Sequence, residues 1–258
     1  MMSRFEEKVV IITGAAGLIG KTMAKQVHDE GGKVVLVDMN EDALNKTVDE
    51  LALSKDNYLI VSADVTKEEQ VKNYVDKTIE HFGKVDGFFN NAGVEGTTAN
   101  VEDYPLDTFE FVLDVNVKGA FLGLKYVVPV MKKQGYGSIV NTASGAGLIG
   151  SPGMIGYNTS KHAVIGMTRV VASEVASENI RVNAVAPGVI NSKMMRRIEE
   201  NTAPGQGDAA QEAFNNAVPM GRYGEPNEVT NVVAFLLSDE AAYVTQSIYT
   251  VDGGQMPQ

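Results

Sequence analysis

Tyr157 and Lys161 stand four residues apart in Tyr157-Asn-Thr-Ser-Lys161. On a helix they would share one face, since side chains at i and i+4 are neighbours. A free phenol ionises near pH 10, too high for efficient acid–base work at neutrality. An adjacent ammonium favours the phenolate and would lower that value. Such pairs often only decorate a surface, so this one draws its weight from its company. Ser144, upstream in Asn141-Thr-Ala-Ser144-Gly, would supply a hydroxyl that polarises a carbonyl oxygen. Taken alone it is an ordinary loop or capping serine. Phenol, cation and hydroxyl together are the parts of a site that moves a proton to or from a substrate oxygen.

A second group lies near the N-terminus, in Thr13-Gly-Ala-Ala-Gly-Leu-Ile-Gly20. It follows a β-branched run and opens a stretch of helical spacing. Gly14, Gly17 and Gly20 would allow a tight turn and bring backbone N–H groups to a pyrophosphate at the helix N-terminus; Leu18 and Ile19 lie in the same turn. Asp38 ends the next apolar run. A carboxylate there hydrogen-bonds the adenosine ribose hydroxyls and repels a 2′-phosphate. Met39 follows, where recognition of that phosphate would call for Arg or Lys. The pair reads as NAD(H) over NADP(H); otherwise Asp38 is a turn or N-cap aspartate.

The elements that must position these groups alternate along the chain. Strands are expected at Lys8–Thr13, Lys33–Asp38, Tyr58–Ala63, Asp86–Asn90, Ser138–Thr142, Arg181–Ala186 and Ser247–Val251. Helices are expected at Leu18–Glu30, Glu41–Leu53, Lys67–Phe82, Tyr157–Glu178 and Asn227–Leu237. A further long helix would open on an Asp107/Glu110 capping box and run towards Gln134. Strands apolar on both faces, alternating with helices, imply an α/β fold: a doubly wound parallel sheet of about seven strands in a single domain spanning 1–258. Residues 188–218 read as irregular and polar, the kind of long loop that serves as a substrate lid.

Composition narrows the classes. The 258 residues carry 22 basic and 33 acidic side chains, a net charge of −11, which disfavours nucleic acid and anionic membrane surfaces. There is no cysteine, so disulfides and thiolate chemistry are excluded. His28, His81 and His162 stand apart from one another, and no metal site is expected. Neither a leader-like N-terminus nor an apolar run long enough to span a bilayer is visible, and a cytoplasmic location is expected.

From Val9 to Gly254 the chain resembles the short-chain dehydrogenase/reductase family, in its single-domain branch. The matching motifs are Thr13–Gly20, Asp64-Val65, Asn90-Asn-Ala-Gly93, Asn116 within Asp-Val-Asn-Val, Ser144, Tyr157–Lys161 and Pro187-Gly-Val-Ile-Asn-Ser192. Within the family, the 85–96 segment and the Asp252-Gly-Gly-Gln ending are similar to NAD-dependent levodione-reductase-like and polyol-dehydrogenase-like members. The resemblance implies roles. Tyr157 would be the general acid or base. Lys161 would tune it and hold the nicotinamide ribose, Ser144 would orient the substrate oxygen, and Asn116 would support a water-mediated proton relay. Asp64 and Val65 would contact the adenine. Asn91, Ala92 and Gly93 would line the cofactor cleft, and Pro187, Gly188, Ile190 and Ser192 the nicotinamide end. It also implies a homotetramer built on helices 107–134 and 157–178. Two positions depart from the branch: Leu18 stands where glycine is usual, and Ser192 where threonine is usual.

The expected activity is NAD(H)-dependent interconversion of a secondary alcohol and a ketone. The small apolar loop 145–156 and Met194-Met195 favour a small neutral or cyclic substrate. Arg196, Arg197 and Glu95 are possible polar contacts. Two alternatives stay open: a 3-oxoacyl-carrier-protein reductase, and a non-catalytic dinucleotide sensor on the same fold.

Overall fold

The structure is a computed structural model that describes residues 3–256. Its strands are β1 (Val9–Thr13), β2 (Lys33–Asp38), β3 (Tyr58–Ser62), β4 (Gly87–Asn90), β5 (Gly137–Thr142), β6 (Ile180–Pro187) and β7 (Ile248–Val251). All are parallel, in the order β3-β2-β1-β4-β5-β6-β7. The helices are α1 (Leu18–Asp29), α2 (Glu41–Leu51), α3 (Glu68–Phe82), α4 (Leu106–Leu113), α5 (Gly119–Gln134), α6 (Ile155–Val175), α7 (Lys193–Thr202), α8 (Gly207–Ala217) and α9 (Pro226–Leu237).

Alternation of side chains along each strand divides the apolar core in two. Val10, Ile12, Val34, Leu36, Phe89 and Val185 pack on one face with residues of α1, α2 and α9. Val9, Ile11, Val35, Val37, Phe88 and Val182 pack on the other with α3, α5 and α6. Both faces of the sheet are therefore covered, which is why the strands read as unbroken apolar runs. The chain runs outward from β1 through β2 to β3, then returns to place β4 on the other side of β1. That reversal opens a crevice above the carboxyl ends of β1 and β4, where ligands of such sheets bind.

Two expectations are corrected. The segment 188–218 is not irregular: it forms α7 and α8, parted by a turn at 203–206. Pro204, Gly205 and Gly207 break this polar segment between two short helices, of which only Met195, Glu199 and Ala210 are buried. The helix expected from Asp107 begins instead at Leu106, capped by the extended Pro105, and the Asp107/Glu110 box does not form. Asp107 already lies in the first turn, its carboxylate accepting from the Thr108 amide. Nor does that helix run unbroken. A π-helical turn at Asp114–Lys118 separates α4 from α5, with the Gly119 N–H bonded to Asp114 O. Single π turns of this kind often sit at functional sites.

The glycine turn after β1 is tightly built. Gly14 has φ +65°, and a Cβ on Gly20 would lie 2.3 Å from Gly14 O and 2.9 Å from Ala15 Cα. Gly20→Ala should therefore cost about 1–3 kcal/mol through backbone displacement. The expected result is a melting temperature several degrees lower, with weaker NADH binding by fluorescence titration. An unchanged melt and affinity would show that the turn yields without cost.

Candidate active site

Three strand ends are tied together at the crevice floor. Thr13 Oγ1, at the end of β1, accepts from the Asn91 and Ala92 amides at 2.9 and 3.1 Å. Asn91 Nδ2 donates back to Thr13 O at 3.0 Å, and Thr142 Oγ1, ending β5, donates to Asn91 Oδ1 at 3.1 Å. Thr142 O in turn accepts from Lys161 Nζ of α6 at 2.8 Å. Asn91 thus lines the crevice as expected, while its side chain serves as a tie between β1 and β5.

Around this floor the structure brings the sequence candidates together. Ser144 caps the short helical turn Gly145–Gly147, its Oγ accepting from the Ala146 amide at 3.2 Å. The same hydroxyl lies 3.5 Å from Pro187 O, to which it donates. Tyr157 and Lys161 share the first turns of α6, with Lys161 Nζ 5.5 Å from the Tyr157 ring centroid. Asn116, in the π turn, is fully enclosed. Its Oδ1 accepts from Val94 N at 2.8 Å, and its Nδ2 donates to Val94 O and Ser160 Oγ, both at 2.9 Å. Gly93 fits between: a Cβ there would lie 3.2 Å from Asn116 Oδ1 and 3.4 Å from Lys161 Nζ.

The electrostatics differ from the sequence expectation. Burial raises the Tyr157 phenol above its ordinary value, the hydrogen bond from Ser144 opposes that rise, and the charge of Glu95 adds to it. The expected lowering by Lys161 is absent, and burial pushes that ammonium itself down to about 8. At neutral pH the site thus holds a protonated phenol, the form that donates a proton.

At the β1 end, Asp38 Oδ2 accepts from Ala16 N and Oδ1 from Asn40 N, each at 3.2 Å. Asp38 is not the N-cap of α2; Asn40 is, accepting from Ala43 N. The carboxylate holds the glycine turn against β2, and each oxygen keeps a second lone pair for a ligand hydroxyl. Met39 is 75% exposed and Leu18 46%, apolar surface of the sort an adenosine moiety would cover. Gly14, Gly17, Ile19 and Gly20 occupy the turn and first turn of α1. These residues fit a dinucleotide without a 2′-phosphate. Asp64 Oδ1 accepts from Thr66 N, and Val65 packs beside Gly119. On the far side, Pro187 ends β6 and Gly188 passes so close to Asp252 that a Cβ would lie 2.8 Å from the Asp252 Cβ. Ile190 is buried and bridged to Gly224, and Ser192 Oγ caps α7 by accepting from Met195 N.

Several supports have roles that the sequence did not announce. Asn158 Nδ2 donates to Ala146 O and Ile149 O at 2.9 and 2.7 Å, fastening the Ser144 loop to α6. Met256 packs behind that loop against Gly145. Thr13 and Thr142 act as described above; only their places at strand ends, just before candidate residues, would have signalled them. Among the described residues, no group of three His, Asp or Glu side chains is placed to hold a metal.

Fold and site together define a Rossmann-type, dinucleotide-dependent oxidoreductase. The family model described as enoyl-(acyl carrier protein) reductase, adh_short_C2, matches residues 14–256. Levodione reductase of Leifsonia aquatica is 41% identical over 98% of this chain and 96% of its own length. A solved levodione reductase gives a TM-score of 0.95, with 97% of this chain and 98% of that chain covered. A 3-oxoacyl-[acyl-carrier-protein] reductase of Thermotoga maritima is also 41% identical, over 97% of this chain and 98% of its own. An NAD+-bound xylitol dehydrogenase structure is 42% identical, with a TM-score of 0.92 over 97% of this chain and 99% of that one. The chain belongs to the short-chain dehydrogenase/reductase family.

The Lys161 ammonium gives a stability test. Its value falls from an ordinary 10.5 to about 8 on folding, so the native state binds fewer protons between those limits and stability rises with pH across them. Lys161→Met removes this titration. Its stability relative to wild type should fall between pH 7.5 and 10, by up to about 3 kcal/mol. Urea unfolding at both values would measure it, and a pH-independent difference would show that Lys161 is not desolvated.

Proposed function

We propose that the chain interconverts a small, neutral, preferably cyclic secondary alcohol and its ketone. It is an NAD(H)-dependent oxidoreductase acting on CH–OH groups. The observation that carries the reading is the Tyr157 ring 5.5 Å from the buried Lys161 Nζ, on a floor where Thr142 O holds that ammonium. In reduction, Tyr157 donates its proton to the substrate oxygen while the Ser144 hydroxyl orients that oxygen. In oxidation the same phenol receives the proton. The nicotinamide, when bound, supplies or accepts the hydride. Lys161 carries the positive charge that steadies the developing phenolate and has ammonium protons left for the ribose after its bond to Thr142 O. The Asn116 side chain is occupied by Val94 and Ser160, so its support of a proton relay runs through backbone and water.

The pocket is walled by the loop after Asn91, the Ser144–Gly156 loop and the α7–α8 lid at 188–218. Leu148 and Ile155 present partly exposed apolar surface there, which suits a neutral substrate. Leu106 and Phe111 of α4, Phe121 of α5 and Val170 of α6 are each more than half exposed, an apolar face that supports self-association as a homotetramer. Among the described residues no helix is long and apolar enough to cross a membrane, and the chain is proposed to work in the cytoplasm.

Reduction of a 3-oxoacyl thioester is the second reading, favoured by the Thermotoga maritima relative. The net charge of −11 weighs against it, because the carrier protein it implies is acidic.

NADH oxidation across cyclic ketones, keto-sugars and acetoacetyl thioesters should show turnover best on the cyclic ketones. Tyr157→Phe should cut kcat by a hundredfold or more while NADH still binds. Wild-type turnover that persists in this variant would remove Tyr157 from the chemistry. Best turnover on the thioester would establish the second reading. In a separate measurement, Asp38→Ala with Met39→Arg should move kcat/KM towards NADPH, and a ratio that stayed put would refute the ribose assignment of Asp38.

A further inference from the structure

Ser144 and Tyr157 must act on one substrate oxygen, yet they belong to different elements. Ser144 lies just past the end of β5, and Tyr157 stands in the first turn of α6. Asn158, the residue after Tyr157, spans the gap between them. Its Nδ2 donates to Ala146 O at 2.9 Å and to Ile149 O at 2.7 Å, and approaches Ser151 Oγ at 3.5 Å. Ala146 in turn donates its N–H to Ser144 Oγ at 3.2 Å. A two-step run of hydrogen bonds therefore leads from α6, one residue past the phenol, to the serine oxygen. The Ala146 N–H occupies one lone pair of that oxygen and leaves the hydroxyl proton to donate. The proton's bond within the protein is long, 3.5 Å to Pro187 O. Ser144 is thus gripped on its acceptor side while its donor side is weakly engaged.

The tie demands a carboxamide. Asn158 is only 8% exposed, and its Oδ1 is buried without a partner among the described residues. An unmatched buried acceptor is destabilising, and such an exception calls for a reason. The reason is on the other side of the same group: two loop carbonyls face it, and an NH2 offers one donor to each. An aliphatic side chain would orphan both carbonyls, and a carboxylate would oppose both. Loop and helix also meet at Gly147, where a Cβ would lie 2.8 Å from Lys161 O. The loop is therefore seated on α6 by a close backbone approach and oriented there by Asn158.

Resting on the alcohol/ketone reading above, we propose that Asn158 is a positioning residue for the reaction. It sets Ser144 Oγ relative to the Tyr157 phenol and acts on the chemical step through Ser144. Its loss then lowers kcat, spares the binding of NADH, and matters only while Ser144 is present. A displacement of about 1 Å can cost roughly a hundredfold in rate.

The experiment is a double-mutant cycle on kcat for the best cyclic ketone, in wild type, Asn158→Ala, Ser144→Ala and the double variant. NADH affinity is followed by fluorescence titration. Asn158→Ala should lower kcat by roughly tenfold or more, with NADH affinity retained. Ser144→Ala should lower it by roughly a hundredfold or more. The double variant should match Ser144→Ala to within about threefold, because nothing is left for the tie to position. Losses that multiply would show Asn158 acting independently of Ser144, and an unchanged kcat in Asn158→Ala would show no positioning at all; either overturns the proposal. If the alanine variant fails to fold, Asn158→Asp carries the test. A protonated carboxyl can donate to one loop carbonyl and an ionised one to neither, so kcat relative to wild type should fall as pH rises. In the Ser144→Ala background that dependence should vanish. A ratio flat with pH, or a dependence that survives without Ser144, would overturn the proposal. Full activity in Ser144→Ala would remove the serine from the chemistry and the proposal with it. Wild type that turns over no ketone would sink the alcohol/ketone reading itself.

Discussion

The run of hydrogen bonds from Thr13 through Asn91 and Thr142 to Lys161 is the constraint on which the rest depends. A parallel sheet delivers strand ends to one edge but does not by itself fix their relative positions to the tenths of an ångström that chemistry needs. Here neutral side chains and backbone groups lock β1, β4 and β5 at the reversal of strand order. One end of the run holds the glycine turn and the other holds the ammonium beside Tyr157. The glycine turn and the Tyr157–Lys161 pair are thereby joined through one run of hydrogen bonds.

Desolvation governs the electrostatics inside that assembly. It raises Tyr157 and lowers Lys161, driving the two values apart so that the phenol keeps its proton to higher pH than the ammonium does. Desolvation of a cation and of a phenol both favour neutral forms, so a site enclosed enough to exclude water tends to hold a proton on oxygen. Glu95 strengthens that tendency, and Arg197 limits the cost of burying it.

Much of this was legible from residues alone, for identifiable reasons. Strands such as Lys33–Asp38 are apolar on both faces, and the observed bounds agree with the reading. Asp38 and the Tyr157–Lys161 pair were visible because charged and phenolic groups at fixed spacings are uncommon by accident. The helices α7 and α8 were hidden, since Pro204, Gly205 and Gly207 punctuate a polar segment and leave each helix short. The start of α4 was misplaced because Pro105 ends the extended chain one residue before the first turn and leaves Asp107 inside it. Thr13 and Asn158 lie inside motifs the sequence shows, but their structural ties were hidden, because neutral polar residues working through backbone partners leave no signature in composition or charge. Glu95 could be seen as an acid, but its burial depends on a turn at Gly96 that only coordinates reveal.

The contact of Met256 with Gly145 has a bearing on folding. The loop that carries Ser144 is backed by a residue from the far C-terminal segment, next to the Asp252 turn that crowds Gly188. Contacts between such distant stretches form late, because the chain must first give up the entropy of the long intervening loop. A partly folded molecule with β1 to β5 in place and the C-terminal segment undocked would have a sheet, a glycine turn and no backing for Ser144. Turnover in this protein is thus a stricter gauge of complete folding than helix content, which such a molecule would largely retain.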